Sequence, residues 1–262
     1  MNILVFLKQV PDTQKVRIDP ERGTLIRKGV PSITNPFDET ALELGLEVRE
    51  AAGGAVWALT MGIPDAECVV RDALTLGADQ GYLLTHRKFA GADTLATSYA
   101  LSCAVRSLGP IDLLLFGKQA IDGDTAQVGP EVAGALGLPV VTFVQRLIEV
   151  RSGSLVVERM LDAGRQVVEV ACPAALTVVR ASRRLRMPTF PTIRRSFGLP
   201  VRRLGVEDID ADPSRCGLSG SPTRVKKVFS PKAHARVTML EGSPQEAAEG
   251  LLSALNEKGV LQ

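Results

Sequence analysis

Gly117, Gln119, Asp122, Gly123, Asp124, Thr125 and Gln127 crowd into one stretch, "GKQAIDGDTAQ", directly after the apolar run "IDLLLF". A plain strand-to-helix connection needs about 2–6 residues and turn chemistry; this one is longer and richer. Glycines let a backbone approach a ligand closely. The amide, hydroxyl and carboxylate groups suit ribose hydroxyls or an adenine edge. The following "VAGALGLP" predicts a helix, whose first N–H groups and partial positive charge suit phosphate. Asp122 and Asp124 would repel phosphate, so their expected roles are capping that helix or binding a sugar. The competing reading is a Gly/Asp turn whose acids cap a helix and touch no ligand. A metal site is not expected, since no histidine is near and the calcium-loop pattern does not follow. Neither GxGxxG nor GxxxxGK[ST] stands at a strand end, which argues against a standard nicotinamide fingerprint and against P-loop hydrolysis. No residue is expected to act as an acid–base catalyst.

For these residues to act together, several strand ends must meet at one edge. The first two thirds of the chain alternate short apolar runs with helix-period segments. The strands are "NILVFLKQV", "AVWALTMG", "QGYLLTH", "IDLLLFG" and "PVVTFV". Between them lie "FDETALELGLEVREAAG", with Ala41, Leu42, Leu44, Gly45 and Val48 on one face, then "DAECVVRDALTLGA", N-capped by Asp65, and "DTLATSYALSCAVRSLG", capped by Asp93. This pattern predicts an α/β fold with a mostly parallel, doubly wound sheet, Rossmann-like and of the adenine-nucleotide-binding type. In such sheets ligands bind beyond the carboxyl ends of the strands, so "VFLKQVPDT", "TNPFDE", "TMG" and the 117–128 loop are expected to converge. A Pro/Gly-rich excursion, 11–36, predicts a small hairpin. Alternating segments with Gly turns predict an antiparallel hairpin extension at about 145–180. The expected domains are a nucleotide-binding α/β domain, 1–180, and a C-terminal arm, 181–262, ending in an amphipathic helix.

Bulk properties narrow the function. The chain has 262 residues and a net charge of +2, so it shows no global nucleic-acid signal. Its four cysteines are scattered without a CxxC pair, against a zinc site or disulfide framework. No apolar run is long enough to span a membrane, and "MNILVFLKQVPD" lacks a signal peptide's basic region and cleavage site. A cytoplasmic location is expected.

Three motifs, "LKQVPDT" (7–13), "NPFDETALE" (35–43) and "GKQAIDGDTAQVGPEVAGALGLP" (117–139), resemble the beta subunit of electron-transfer flavoproteins. The match runs essentially end to end. "LVVERMLDAGRQVVEVACPAALTVV" (155–179) resembles the family's hairpin signature, departing from it at Ala163 and Ala175. The resemblance implies a heterodimer with an alpha subunit that carries FAD, and no activity for this chain alone. It implies a second nucleotide in this subunit: FAD in the electron-bifurcating group, AMP in one-flavin carriers. Carried over by motif, the nucleotide contacts are Phe6, Asn35, Pro36, Phe37, Asp38, Met61, Gly117, Lys118, Gln119, Ala120, Ile121, Asp122, Gly123, Asp124, Thr125, Ala126, Gln127 and Val128. "VPDT" and the downstream "GSPT" (220–223) resemble the bifurcating group. There, electrons from NADH divide between ferredoxin or flavodoxin and an acyl-CoA dehydrogenase-type partner or quinone pathway. The alternative from another class is a free-standing adenine-nucleotide sensor, which would need no arm.

Between Arg180 and Arg203 stand eight arginines and no acid. Only Phe190 and Phe197 are aromatic there and no nucleic-acid motif accompanies them, so nucleic acid is not an expected partner. "RMPTFPTIRR" resembles the family's recognition loop, which places one apolar anchor in a dehydrogenase pocket. Phe190 would be that anchor, with Arg194 and Arg195 in place of the usual lysine-rich run.

Overall fold

The structure, a computed structural model, describes residues 1–12, 31–180, 185–224, 226 and 239–260, with the backbone of 17–18 and 25–26. It forms two compact units, Met1–Lys226 and Lys227–Gln262.

The first unit begins with β1 (Asn2–Leu7), five of whose six residues are buried. The predicted excursion holds two antiparallel pairs, β2 (Gln9–Pro11) with β5 (Ser32–Thr34), and β3 (Arg17–Ile18) with β4 (Leu25–Ile26). Helix α1 (Pro36–Ala52) follows, with Pro36 at the first turn, where a missing N–H costs nothing. Its buried face is the expected one, joined by Asp38 and Leu46. Then come β6 (Ala55–Met61), α2 (Glu67–Leu76) and β7 (Gln80–Leu84). Asp65 does not cap α2: it lies in a 3-10 turn, Pro64–Ala66, and the helix starts beyond it with no side-chain cap. Asp93 does cap α3 (Thr94–Leu108), accepting the N–H of Ala96 at 3.1 Å.

Strands β8 (Leu113–Gly117) and β9 (Val140–Arg151) flank α4 (Val128–Leu136). Past its first half, β9 leaves the parallel sheet and enters an antiparallel meander with β10 (Ser154–Leu161) and β11 (Gly164–Ala171). β12 (Ala174–Val178) then returns between β9 and β8, parallel to both. From Arg180 onward the sequence offered little period. The structure forms a short helix there, α5 (Phe190–Ser196), and a strand, β13 (Val201–Leu204), which extends the sheet beside β7. Arg202 and Arg203, both exposed, break β13's apolar pattern, so the edge strand carries no hydrophobic signature.

Among the described residues the main sheet has nine strands, in the order β11-β10-β9-β12-β8-β1-β6-β7-β13. From β1 the chain winds outward through α1 to β6 and α2 to β7. It then crosses back over the other face through α3 to β8, on the opposite side of β1. Side chains alternate across the sheet. Ile3, Val5 and Leu115 face one core with Leu42, Leu46 and Leu74 of α1 and α2. Leu4, Phe6, Leu114 and Phe116 face another with Ala100 and Ala104 of α3 and Val132 of α4. Helices thus cover both faces. The order reverses between β1 and β8, where adjacent connections leave in opposite directions and open a crevice.

In the second unit the described element is α6 (Pro244–Glu257), started by a capping box in which Ser243 and Glu246 bond each other's backbone N–H. Leu251 and Leu252 are exposed, and no residue of α6 is buried.

Candidate functional site at the switch point

The carboxyl ends of β1 and β8 are joined by the first turn of α1. The Asp38 carboxylate is buried and accepts the N–H of Lys8 at 2.8 Å on one oxygen and of Gly117 at 3.1 Å on the other. Both donors lie at the end of the parallel ladder, where the diverging chains would leave them unpaired. Burial pushes the Asp38 carboxyl up to about 7, against the pull of hydrogen bonds from Asn35, Lys8 and Gly117. Asn35 ties down the following loop: its Nδ2 donates to Gln119 O at 2.8 Å and its Oδ1 accepts Ile121 N–H at 3.2 Å. The backbone of Asn35 in turn donates to Lys8 O at 2.9 Å.

Gly117 is explained differently from the sequence expectation. A Cβ there would collide with Asp38 Oδ1 and lie 2.7 Å from Phe37 Cβ and 2.8 Å from Asp38 N. Its lack of a side chain admits the first turn of α1, not a ligand. Gly123 has open space around it. The unusual backbone falls instead at Asp124 and Ala126, with φ of 51° and 55°. Ala126 is followed by the right-handed Gln127, and such a pair of opposite hands is the backbone pattern of anion-binding nests.

Neither aspartate caps α4, correcting one expected role. Asp122 pairs with Lys8 at 2.7 Å, and Asp124 accepts Gln119 Nε2 at 2.6 Å. Gln127 occupies the cap position of α4 without a side-chain bond. Among the described residues, the N–H groups of Thr125, Ala126, Gln127, Val128 and Gly129 meet no acceptor. Gly129 is itself buried against Phe116 and Thr177.

The remaining candidates are placed as follows. Phe6 is buried and stacks on Phe116 of the neighbouring strand, with ring centroids 4.0 Å apart. Met61 ends β6, one step beyond the pairing of Thr60 with Leu7, at the same edge of the sheet. Pro36 and Phe37 form the first turn of α1, and Ala120 accepts the turn bonds from Gly123 and Asp124. Lys118 donates its N–H to Val178 O at 2.7 Å, and its ammonium lies 5.5 Å from the ring centroid of Phe143. Phe143 was not among the sequence candidates, since nothing in "PVVTFV" marks it.

The arm residues lie elsewhere. Phe190, at the first turn of α5, is 77% exposed, and Met187 and Phe197 are also bare. Arg194 is exposed. Arg195 is engaged within the chain: it donates to Gly77 O and Ala78 O and pairs with Asp79 at 2.8 Å. Those carbonyls lie at and just beyond the end of α2, where partial negative charge favours a cation. Arg186 likewise binds Glu43 and Glu50 of α1, and Arg203 binds Glu67 of α2. Part of the arginine run is thus neutralised by acids distant in sequence.

These observations define an open, doubly wound α/β subunit whose strand-end loops gather at one switch point. A family profile described as "Electron transfer flavoprotein domain" matches residues 22–208. The electron transfer flavoprotein subunit beta of Thermoanaerobacterium thermosaccharolyticum is 45% identical over 265 residues, covering 100% of both chains. The caffeyl-CoA reductase-Etf complex subunit CarD of Acetobacterium woodii is 44% identical over 263 residues, covering 100% of both. Protein FixA of Azorhizobium caulinodans is 44% identical over 267 residues, covering 97% of this chain and 94% of its own. The chain belongs to the electron transfer flavoprotein family, on its beta-subunit side, and its role is electron transfer. Among the described residues no helix is long and apolar enough to cross a membrane.

Proposed function

We propose that this chain pairs with an alpha subunit in the cytoplasm and holds an adenine-nucleotide cofactor at the switch point between β1 and β8, FAD in preference to AMP. The observation that carries the reading is the row of five consecutive N–H groups, Thr125 to Gly129, that meet no acceptor among the described residues at the uncapped start of α4. A diphosphate supplies acceptors for such a row, and the pair of opposite hands at Ala126 and Gln127 has the backbone pattern of anion-binding nests. Asp38 and Asn35 hold the loop at a fixed height. Phe6 and Met61 give the crevice apolar walls, and Gln119, Asp122 and Asp124 offer polar groups to a ribose. FAD bound there supplies hydride acceptance from NADH and the release of single electrons.

Two observations favour FAD and an electron-bifurcating role, in which one electron goes to ferredoxin or flavodoxin and one toward an acyl-CoA dehydrogenase-type partner or a quinone pathway. The first is the resemblance of "VPDT" and "GSPT" to the bifurcating group; Thr13 of the former lies outside the described residues. "GSPT" docks on the start of α3, where Asp93 accepts the N–H and hydroxyl of Thr223 at 3.1 and 2.9 Å and donates its own N–H to Ser221 at 2.8 Å. The second is the Acetobacterium woodii relative, whose name joins it to a reductase of a CoA thioester. In this reading residues 181–262 form a partner-binding arm, with Phe190 as the anchor and Arg194 as a flanking charge.

The test is to co-express the chain with its alpha subunit, denature the purified heterodimer and quantify the released nucleotides. Two FAD per heterodimer, bleaching in two kinetic phases with NADH, is the expected result. One FAD and one AMP would make the crevice a structural nucleotide site in a one-flavin carrier. One FAD and no second nucleotide would refute the reading.

A further inference from the structure

Phe143 departs from ordinary backbone geometry with no glycine to permit it. Its φ of 58° lies in the left-handed region, where a bulky residue is an outlier. The cause is local. Between β9 and β12 the pairing steps from Leu176↔Val141 to Val178↔Val144, so Thr142 and Phe143 together stand opposite Thr177. This is a bulge, which re-aims the side chain of the extra residue. The N–H of Phe143, turned out of the ladder, donates to Thr177 Oγ1 at 3.1 Å. Thr177 is braced in turn against α4: a Cβ on Gly129 would come within 2.8 Å of Thr177 Cγ2. The strained residue is therefore locked to the same helical turn that presents the unpaired N–H groups.

The re-aimed ring meets Lys118. The ammonium lies 5.5 Å from the ring centroid, within the range of a cation–π contact. Lys118 follows β8 in phase with Leu114 and Phe116, so it leaves the sheet on the face that α3 and α4 cover. The other strand-end cation, Lys8, is bound to Asp122. Lys118 forms no ion pair among the described residues. An aromatic face holds an ammonium in place without cancelling its charge, whereas a carboxylate would cancel it. Of these two strand-end cations, one is paired with a carboxylate and one faces an aromatic ring instead.

We infer that Phe143 is a positioning residue: its strained backbone aims the ring so that the ammonium of Lys118 is held where the phosphate groups of an adenine nucleotide meet the N–H row of α4. This rests on the nucleotide reading of the crevice. It adds a residue that does not touch the nucleotide, and it selects Lys118 over Lys8 as the cationic contact.

The experiment uses the heterodimer with its alpha subunit. Wild type, Lys118→Met, Lys8→Met, Phe143→Leu and Phe143→Tyr are dialysed against rising potassium chloride, and the nucleotides retained per heterodimer are counted. Leu keeps the apolar bulk and unbranched Cβ of Phe but removes the ring; Tyr keeps the ring. Lys118→Met is expected to weaken retention of the second nucleotide about tenfold and to flatten its salt dependence, since a phosphate-paired cation is lost. Phe143→Leu is expected to move both quantities in the same direction by about three- to tenfold, Phe143→Tyr to restore them, and Lys8→Met to leave them near wild type. A merely structural role would shift thermal stability but not the salt slope. If Lys118→Met and Phe143→Leu retain nucleotide with the wild-type slope, the inference is overturned while the nucleotide reading stands. A wild-type heterodimer with no second nucleotide overturns both.

Discussion

Replacing Asp38 by Asn separates two effects that the structure sets against each other. The carboxylate satisfies two part-buried N–H groups, those of Lys8 and Gly117. Asn has one carbonyl oxygen, so its amide must face one of these donors and leave it unsatisfied, at a cost of about 1–3 kcal/mol. Against this, burial raises the Asp38 pKa from 3.8 to about 7. A raised acid pKa means the folded chain binds the proton more tightly than the unfolded one. Asp38 therefore withdraws stability progressively as pH rises from about 4 to about 7, by about 4 kcal/mol in total, and Asn withdraws none. At pH 5 the folded Asp38 is mainly protonated, and its hydroxyl oxygen keeps some acceptor capacity that an Asn amide nitrogen lacks, so the substitution should be mildly destabilising there and lose that penalty by pH 8. Over that interval the difference between the proteins should shift by about 2–3 kcal/mol in favour of Asn. Urea unfolding of both heterodimers, at matched ionic strength across the series, reads this directly. A difference that stays constant from pH 5 to pH 8 would show that Asp38 is ionised like an ordinary surface acid, and the account of a desolvated clamp would fail.

Gly117→Ala places a Cβ against Asp38 and Phe37. The first turn of α1 must then move, and a loss of about 1–3 kcal/mol is expected in the same unfolding assay, with reduced nucleotide content. Phe190→Ala removes a side chain that is 77% exposed, so stability should hold within about 0.5 kcal/mol and flavin content should not change. Stopped-flow electron delivery to the proposed acyl-CoA dehydrogenase-type partner should nevertheless slow, and an unaltered rate rejects the proposed anchor role. Arg195→Ala unpins α5 from the end of α2 and should cost about 1–2 kcal/mol, whereas Arg194→Ala should be silent in stability. Equal effects of the two would contradict the different surroundings of these neighbours.

The alternation of apolar runs and helical periods was enough to read a doubly wound sheet, because strands buried on both faces must be continuously apolar and "DLLLF" is. It also placed the 117–128 loop at a strand end and Asp93 at a cap, since both depend only on local order along the chain. What it left hidden depends on pairing. Period-2 patterns say that 140–178 forms strands, but not that β12 returns between β9 and β8 or that the register slips opposite Thr177, because alternation within one strand names neither its partner nor the residue at which the pairing steps. The bulge that re-aims Phe143 was therefore invisible, although the residue is aromatic and stands in a predicted strand. Asp38 was picked out by motif, yet an acid in the first turn of a helix ordinarily faces solvent and complements the helix dipole. Only the closeness of β1 and β8 turns it inward to serve two N–H groups. Gly117 shows the same limit from the other side: glycine at a strand end reads as room for a ligand, and here the room is filled by the helix that Asp38 belongs to. The local chemistry of this site was legible one residue at a time, but which groups remain available to a ligand follows from which ones the fold has already used. Lys8 and Lys118 occupy equivalent places after two adjacent strands, and tertiary structure alone pairs the first with a carboxylate and sets the second against an aromatic ring.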